Sequence, residues 1–458
     1  MQTALSPPGE PFEAISRCGF ENRSAVIAAV SGGSDSTALL LLLKSFMDIA
    51  AIPVRLVAVT VDHRLRPEAA DEALAVGKLA ARLGVEHRTL RWVGPKPATG
   101  IASAAREARY RLLATAAEDA GTDMVLTAHT ADDQAETVFM RRQRGDGMGL
   151  AGMAPVTLFD GKVWIARPIL NTRRETLRDF LRENSIGWID DPSNVDLRSE
   201  RVRIRLELTG WQGAGSSIEA LLHVARENAA LREKLGCRAA ALISRFAREA
   251  EPGLLHLDPC FLRHDDEEAA IHALRVLLAV AGGMPHLSDL QRTAALAARI
   301  SEPPHRATLS RTLVASRRDG VWFCREGRAL PEPGPACEGM IWDGRFRISA
   351  VGSPDEASVA PAGGTSLGKI EERHGAPKSL IRLARASQPV FLHDGENSAE
   401  MRSLTADLTS RWNATPVPSL HARFLPSFDI DLARAISALI GAPPIPDPPC
   451  AGHNVGRA

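Results

Sequence analysis

The sequence predicts an α/β protein with a parallel-sheet, Rossmann-like N-terminal domain, a helical middle domain and a small mixed α/β C-terminal domain. Three observations carry this. Short β-branched apolar runs alternate with helical stretches over the first two hundred residues. The first apolar run ends in a Gly-rich turn that leads into a helix. The alternation stops at Gly210–Ser217 (GWQGAGSS), and a Pro-rich stretch at Leu330–Pro335 marks a second boundary.

The elements follow in order. Ala25–Val30 (AVIAAV) reads as a strand and Thr37–Phe46 as a buried helix. Val54–Val61 is a second strand, and Pro67–Leu83 an Ala-rich helix stopped by Gly84. His87–Val93 is a third strand, Ser103–Ala120 a helix stopped by Gly121, Met124–Thr127 a fourth strand and Asp132–Arg142 a helix. Beyond the break, Ile218–Arg248 and Glu267–Ala281 read as helices, and Thr308–Ser316 with Val321–Arg325 as a strand pair. The expected domains are 1–209, 218–329 and 339–441, with a loose Pro-rich tail at 442–458.

Composition excludes several classes. At 458 residues, two or three cores are expected. Lys+Arg and Asp+Glu balance at 55 each, so any nucleic-acid surface must be a local patch. The six Cys form no C-x-x-C pair, which argues against a zinc or iron–sulfur centre and for free thiols. No signal peptide is evident, and the apolar run Ala38–Leu43 is too short to span a bilayer. A cytoplasmic protein with no membrane partner is expected.

The turn Ser31-Gly32-Gly33-Ser34-Asp35-Ser36 is the strongest local signal. Its glycines let the backbone approach an anion, and the N–H groups at a helix start converge on it. It lacks the Lys of the Walker loop. Asp35 would repel phosphate, but it suits a Mg²⁺ ion shared with ATP. The alternative is a polar turn in which Asp35 or Ser36 caps the helix.

Five further segments are candidates. Val61–Arg66 follows the second strand. Arg106, Arg109 and Tyr110 share one helical face, where two guanidinium groups could grip phosphate or could form a solvated basic face. His129, Asp133 and Glu136 lie in the polar segment Thr127–Thr137 (TAHTADDQAET) and could bind a cation, orient an amine or move a proton; an acidic helix start is the alternative. Arg141 and Arg144 precede the Gly-rich segment Gly145–Met153, and Arg201, Arg203 and Arg205 alternate further on. The three form one stripe if extended but spread around the cylinder if helical.

The SGGSDS turn resembles the signature of the PP-loop, or N-type ATP pyrophosphatase, superfamily. With DHRLRPE, AREARY, TAHTADDQAET, RGDGMGLAGM, RPIL and WIDDPSN…RVRIR in order, the first 205 residues resemble the tRNA(Ile)-lysidine synthetase family. TLSRTLVASRRDGVWFCRE resembles the family's C-terminal region more weakly. The resemblance implies ATP and Mg²⁺, L-lysine and tRNA(Ile) with a CAU anticodon as cofactors and substrates, and often a homodimer. It implies adenylation of the wobble cytidine and its displacement by lysine to give lysidine. It places ATP on Ser31–Ser36, catalysis on Asp35, Arg106, Arg109, His129, Asp133 and Glu136, and tRNA contacts on Arg141, Arg144, Arg201, Arg203 and Arg205. The chain departs from the family pattern at Thr130, often a second His, at Asp146, often Ser, and at Ser199-Glu200, where an Asn is common. Two other readings are a tRNA thiolase and a non-catalytic RNA-binding protein. Thiolases generally use Cys near the site, and none lies between Cys18 and Cys237.

Overall fold

The computed structural model describes residues 9–66, 68–145, 147–190, 197–210, 218–352, 356–363, 375–393 and 411–450. Asp146, the Asp191–Asn194 part of WIDDPSN and most of GWQGAGSS lie outside the described residues. The chain divides into two compact units. One is Met1–Arg232 with Pro426–Phe428 and Asp447–Ala458; the other is Glu233–Leu425 with Asp429–Pro446.

In the first unit, helix α1 (Gly9–Ser16) precedes β1 (Ala25–Ala29), α2 (Ser34–Ile49), β2 (Arg55–Asp62), α3 (Ala69–Arg82) and β3 (Glu86–Arg91). Then come α4 (Ile101–Asp119), β4 (Met124–Leu126), α5 (Ala131–Gln143), β5 (Val156–Phe159), β6 (Val163–Ala166), α6 (Arg174–Glu183) and α7 (Glu200–Gly210). These strands lie in the order β5-β6-β4-β1-β2-β3. Strand β1 runs parallel to β2 and β4, β2 to β3 and β4 to β6, while β5 is antiparallel to β6. Strands β1 and β2 are apolar on both faces, as a sheet covered twice requires. Tyr110, Leu113 and Ala117 of α4 pack with Ile27, Val57 and Ile165 from the sheet in one core. Helix α2 buries Ala38–Leu43 without interruption, which explains its run of leucines.

The order matters for function. The chain moves outward from β1 to β2 and β3, then returns to β4 on the other side of β1. The strand order reverses between β1 and β4, and at such a switch point open α/β sheets bind ligands beyond the C-terminal strand ends.

The long helix α8 (Ile218–Phe246) begins outside the sheet; Leu221 and Ala225 pack with Ile204 of α7 and Val138 of α5. In the second unit, β7 (Ala247–Glu251) and β8 (Leu254–Leu257) precede α9 (Glu267–Gly282), α10 (Leu290–Ile300), β9 (His305–Leu309), β10 (Thr312–Arg317) and β11 (Gly320–Arg325). The helices are thus joined by an antiparallel sheet of order β7-β8-β11-β10-β9. Sequence reading carried the first of them to Arg248, but the helix ends at Phe246. Alternation in Ala247–Glu251 is weak, so its periodicity did not announce a strand. Leu274, Leu277 and Leu278 of α9 fill one face against Val314, Val321 and Phe323. Two small three-stranded sheets follow, built from 334–361 and 389–416, with a helix at Lys378–Ala386 that packs Leu380 and Ile381 against Trp322. Among the described residues, no helix is long and apolar enough to cross a membrane.

Candidate active site

Residues Val30–Gly33 turn the chain from β1 into α2. Gly32 sits at φ +90°, a left-handed conformation that L side chains seldom adopt. A Cβ there would lie 2.7 Å from Ile189 Cδ1 and 3.2 Å from Val76 Cγ2. The turn is held from within. The Ser31 N–H donates to Ser36 Oγ at 3.1 Å, Ser36 Oγ donates to the Gly33 carbonyl at 3.1 Å, and Thr37 Oγ1 donates to the Gly32 carbonyl at 3.2 Å. Gly33 occupies the N-cap, so no cap side chain takes the first N–H groups of α2. Asp35 lies in the first turn, and neither it nor Ser36 serves as cap. The helix start is left open to an anion. Gly32→Ala is expected to cost about 1–3 kcal/mol in strain. It should also raise KM for ATP by about tenfold or more, 1.4 kcal/mol per decade, in steady-state assays.

Opposite this loop, the end of β4 delivers Thr127–Thr130 and the start of α5. Thr130 caps α5 in a reciprocal box: the Asp133 N–H donates to Thr130 Oγ1 at 3.4 Å, and Asp133 Oδ2 accepts from the Thr130 N–H at 2.9 Å and its hydroxyl at 3.0 Å. The Thr that departs from the family pattern is therefore a competent cap.

An arginine absent from the sequence-level candidates joins the two segments. Arg174 Nε donates to Asp35 Oδ2 and its Nη2 to Asp133 Oδ1, each at 2.9 Å, and Nη1 lies 3.7 Å from Glu136 Oε1. Burial opposes the charge on Arg174, but Asp133 and Asp35 outweigh it and hold the guanidinium above its usual value. Asp35 is pushed up by burial, with Arg174 offsetting part of the rise. Glu136 is 2% exposed; its Oε1 accepts from Arg205 Nε at 2.8 Å, while Oε2 has no hydrogen-bond partner. The signal for Arg174 was present in Arg173-Arg174 at a helix start, where the dipole disfavours cations. Asp132 of α5 compensates, accepting from the Arg174 N–H at 2.7 Å and from Arg173.

A cationic half adjoins this acidic half. Tyr110, 1% exposed, carries Arg106 and Arg109 against its ring, each guanidinium carbon 5.0 Å from the centroid, and Arg109 donates to its hydroxyl at 3.3 Å. Arg167 is anchored by the Ala154 carbonyl and Thr157. The buried Nε atoms of Arg109 and Arg167 have no partner. Burial and then Arg167, Arg109 and Arg106 depress His129 well below its usual value, so its ring is neutral near pH 7. Thr127 Oγ1 donates to the Ala166 carbonyl, so His129 Nδ1, 3.0 Å away, is assigned as the donor to Thr127 and Nε2 as a free acceptor.

Burial alone would raise the Tyr110 pKa, but Arg109, Arg167 and Arg106 bring it down to about 7. Because it is the chain's single Tyr, phenolate absorbance at 295 nm reports it directly. A midpoint near pH 7 is expected in the folded protein, returning to about 10 on denaturation. Since the folded value is the lower one, this group's stabilisation is fully present above pH 10 and is lost as pH falls through 7.

The remaining expected arginines fall differently. Residues 201, 203 and 205 are helical, so Arg201 and Arg205 share a face and Arg203 points away to the carbonyls of Leu197 and Arg198. Arg141 donates to the carbonyls of Gly149 and Gly152, and Arg144 to Glu200. Together with Gln134, which exchanges two hydrogen bonds with the Met153 backbone, Arg141 fastens the Gly-rich segment to α5. Among the described residues no group of three or more His, Cys, Asp or Glu surrounds a metal-sized space. Asp35 nevertheless fits Mg²⁺ shared with phosphates: it is a hard oxygen donor beside an open helix start.

A Gly-rich turn at the switch point, with an open helix start and no Walker Lys, defines a PP-loop nucleotide-binding protein. The PP-loop domain profile matches residues 11–210. The chain is 48% identical to the tRNA(Ile)-lysidine synthase of Mesorhizobium japonicum, over 93% of this chain and 95% of that one. It is 36% identical to the tRNA(Ile)-lysidine synthase of Brucella anthropi, over 94% and 96%. The chain belongs to the tRNA(Ile)-lysidine synthase family. Among solved structures, a U34-tRNA thiolase from Methanococcus maripaludis is similar at 18% identity and a TM-score of 0.40, covering 48% of this chain and 77% of that one.

Proposed function

We propose that this chain is an ATP-dependent ligase that joins the ε-amine of L-lysine to C2 of the wobble cytidine of tRNA(Ile) with a CAU anticodon. The product is lysidine, with AMP and pyrophosphate released. The modified tRNA then reads AUA rather than AUG and is charged with isoleucine rather than methionine. The observation that carries this reading is the juxtaposition of an acidic and a cationic half at one crevice. The acids suit an ammonium and a metal; the arginines suit phosphates and a leaving AMP.

The residues divide the work as follows. The open N–H groups of α2 and the hydroxyls of Ser31, Ser34 and Ser36 cradle the ATP phosphates. Asp35 would hold Mg²⁺, which supplies charge neutralisation on the phosphates. The cytidine O2 attacks the α-phosphorus, and Arg106 and Arg109 stabilise the charge that develops. Neutral His129 presents Nε2 as an acceptor toward the base. Glu136, with Oε2 unpartnered, accepts from a lysine ammonium and positions it. Loss of one proton frees the ε-amine to displace AMP. His129 is a poor base with its depressed basicity, so a carboxylate or solvent takes that proton.

Arg201 faces the cationic half, where it lowers His129 and Arg106, and is the arginine of its triplet best placed for tRNA phosphate. Arg203, Arg141 and Arg144 would reach tRNA only from the surface, and Arg205 contributes through Glu136. A homodimer and a cytoplasmic location, where its tRNA substrate is found, belong to the same reading.

Incubation with ATP, labelled lysine and the CAU tRNA(Ile) transcript tests it. ATP-dependent label in tRNA is expected. Pyrophosphate exchange with another substrate and no label would instead favour a different PP-loop reaction.

A further inference from the structure

Arg174 lies at a position its own helix disfavours. It is the first residue of α6, next to Arg173 at the N-cap, so two cations sit at the positive end of the helix dipole. The arrangement is maintained by Asp132, whose carboxylate takes the Arg174 N–H and the Arg173 guanidinium. The Arg174 side chain turns to Asp35 and Asp133 rather than toward solvent, and it is 15% exposed.

The guanidinium divides its donors among carboxylates from two elements: Asp35 on α2, and Asp133 and Glu136 on α5. Their oxygen atoms are not equivalent. Asp133 Oδ2 is engaged by the Thr130 cap and Oδ1 by Arg174, so each of its oxygens already has a donor. Glu136 Oε1 lies between Arg205 at 2.8 Å and Arg174 at 3.7 Å. Its Oε2 is buried without a donor. A buried carboxylate oxygen left open is costly, and an incoming N–H donor would remove that cost.

We infer that Arg174 is a positioning residue for the lysine-joining step: anchored by Asp35 and Asp133, it orients Glu136 so that Oε2 receives the ammonium of lysine. The inference rests on the ligase reading above. Arg174 does not touch the reacting atoms. It acts through Glu136, and Asp133 serves as the link between the α5 cap and the arginine rather than as a direct lysine contact.

The test is a double-mutant cycle with Arg174→Gln and Glu136→Gln, read as KM for lysine and kcat in the labelled-lysine assay, with thermal melting to check folding. Arg174→Gln is expected to raise KM for lysine by about tenfold or more, and Glu136→Gln by at least as much. In the Glu136→Gln background, Arg174→Gln should add less than about twofold, because its target is already removed. A residue that only maintains the fold would lower the active fraction, and so kcat, without moving KM. Unchanged KM in Arg174→Gln, or effects that multiply in the double variant, overturns the inference. Arg174→Lys keeps the charge but not the fork. It should restore part of the lost affinity, with KM about threefold above wild type. If Arg174→Gln does not fold, a wild-type KM in Arg174→Lys overturns the inference by itself. Failure of the wild-type protein to incorporate lysine overturns the ligase reading instead, and this control separates the two failures.

Discussion

Replacing Asp35 by Ala is expected to reduce ATP-dependent lysine incorporation into tRNA by about 100- to 1,000-fold. Two losses combine. The first is the carboxylate beside the open start of α2, the group suited to Mg²⁺ with ATP phosphates. The second is an anchor of Arg174, since Asp35 Oδ2 takes its Nε at 2.9 Å. Asp35→Asn keeps the shape and the Ser34 contact but not the charge, and should be nearly as inactive. Melting temperatures near wild type would show the defect to be chemical, because burial already works against the Asp35 charge. Wild-type incorporation by either variant would remove Asp35 from the machinery.

The largest stability effect is expected far along the chain, at Asp343. Its fully buried carboxylate pairs with Arg325 Nε at 3.1 Å, with Arg345 Nε at 2.9 Å and with Arg311. Arg325 is 0% exposed, and burial brings Arg345 down to about 10. Three arginines therefore depend on one carboxylate. Further donors of Arg325 reach the carbonyls of Glu326, Arg328 and Ala329, and those of Arg345 reach the hydroxyl and carbonyl of Ser387. These contacts tie the end of β11 to the small sheets that follow. Asp343→Ala leaves buried cations without a counter-charge, which costs about 3–5 kcal/mol. Equilibrium unfolding in urea should show an earlier transition. Asp343→Asn retains hydrogen-bond acceptance and should lose less. A change below about 1 kcal/mol would mean that the backbone carbonyls suffice to hold the arginines.

Much of the first unit was legible because its signals are local. β-branched runs ended by Gly, and helices ended by Gly84 and Gly121, mark elements whose identity depends on their own residues. Strands β5 and β6 and helix α6 were not anticipated. Val156–Ala166 is a hairpin of two four-residue strands, buried on both faces, so it shows no alternation to read. In the second unit, β7 shows little alternation, and β8 is a short apolar run that periodicity alone cannot distinguish from helix.

The opening α/β pattern and its SGGSDS turn were thus determined by sequence alone, since a glycine-bearing turn between a strand and a helix creates an anion cradle through backbone geometry. Asp35, His129, Asp133 and Glu136 were named from sequence as candidates, because their residue types limit the chemistry available. Only the tertiary structure decided how these groups are paired. Arg174 lies 139 positions from Asp35, and no local spacing relates them. The return of the chain to β4 beside β1 brings α2, α5 and α6 together and makes Arg174 the shared partner of three carboxylates. The same packing separates Glu136, with an oxygen left open, from Asp133, whose oxygens are both engaged. Side-chain identity names candidate donors and acceptors, but burial and distance determine which of them remain available to a substrate.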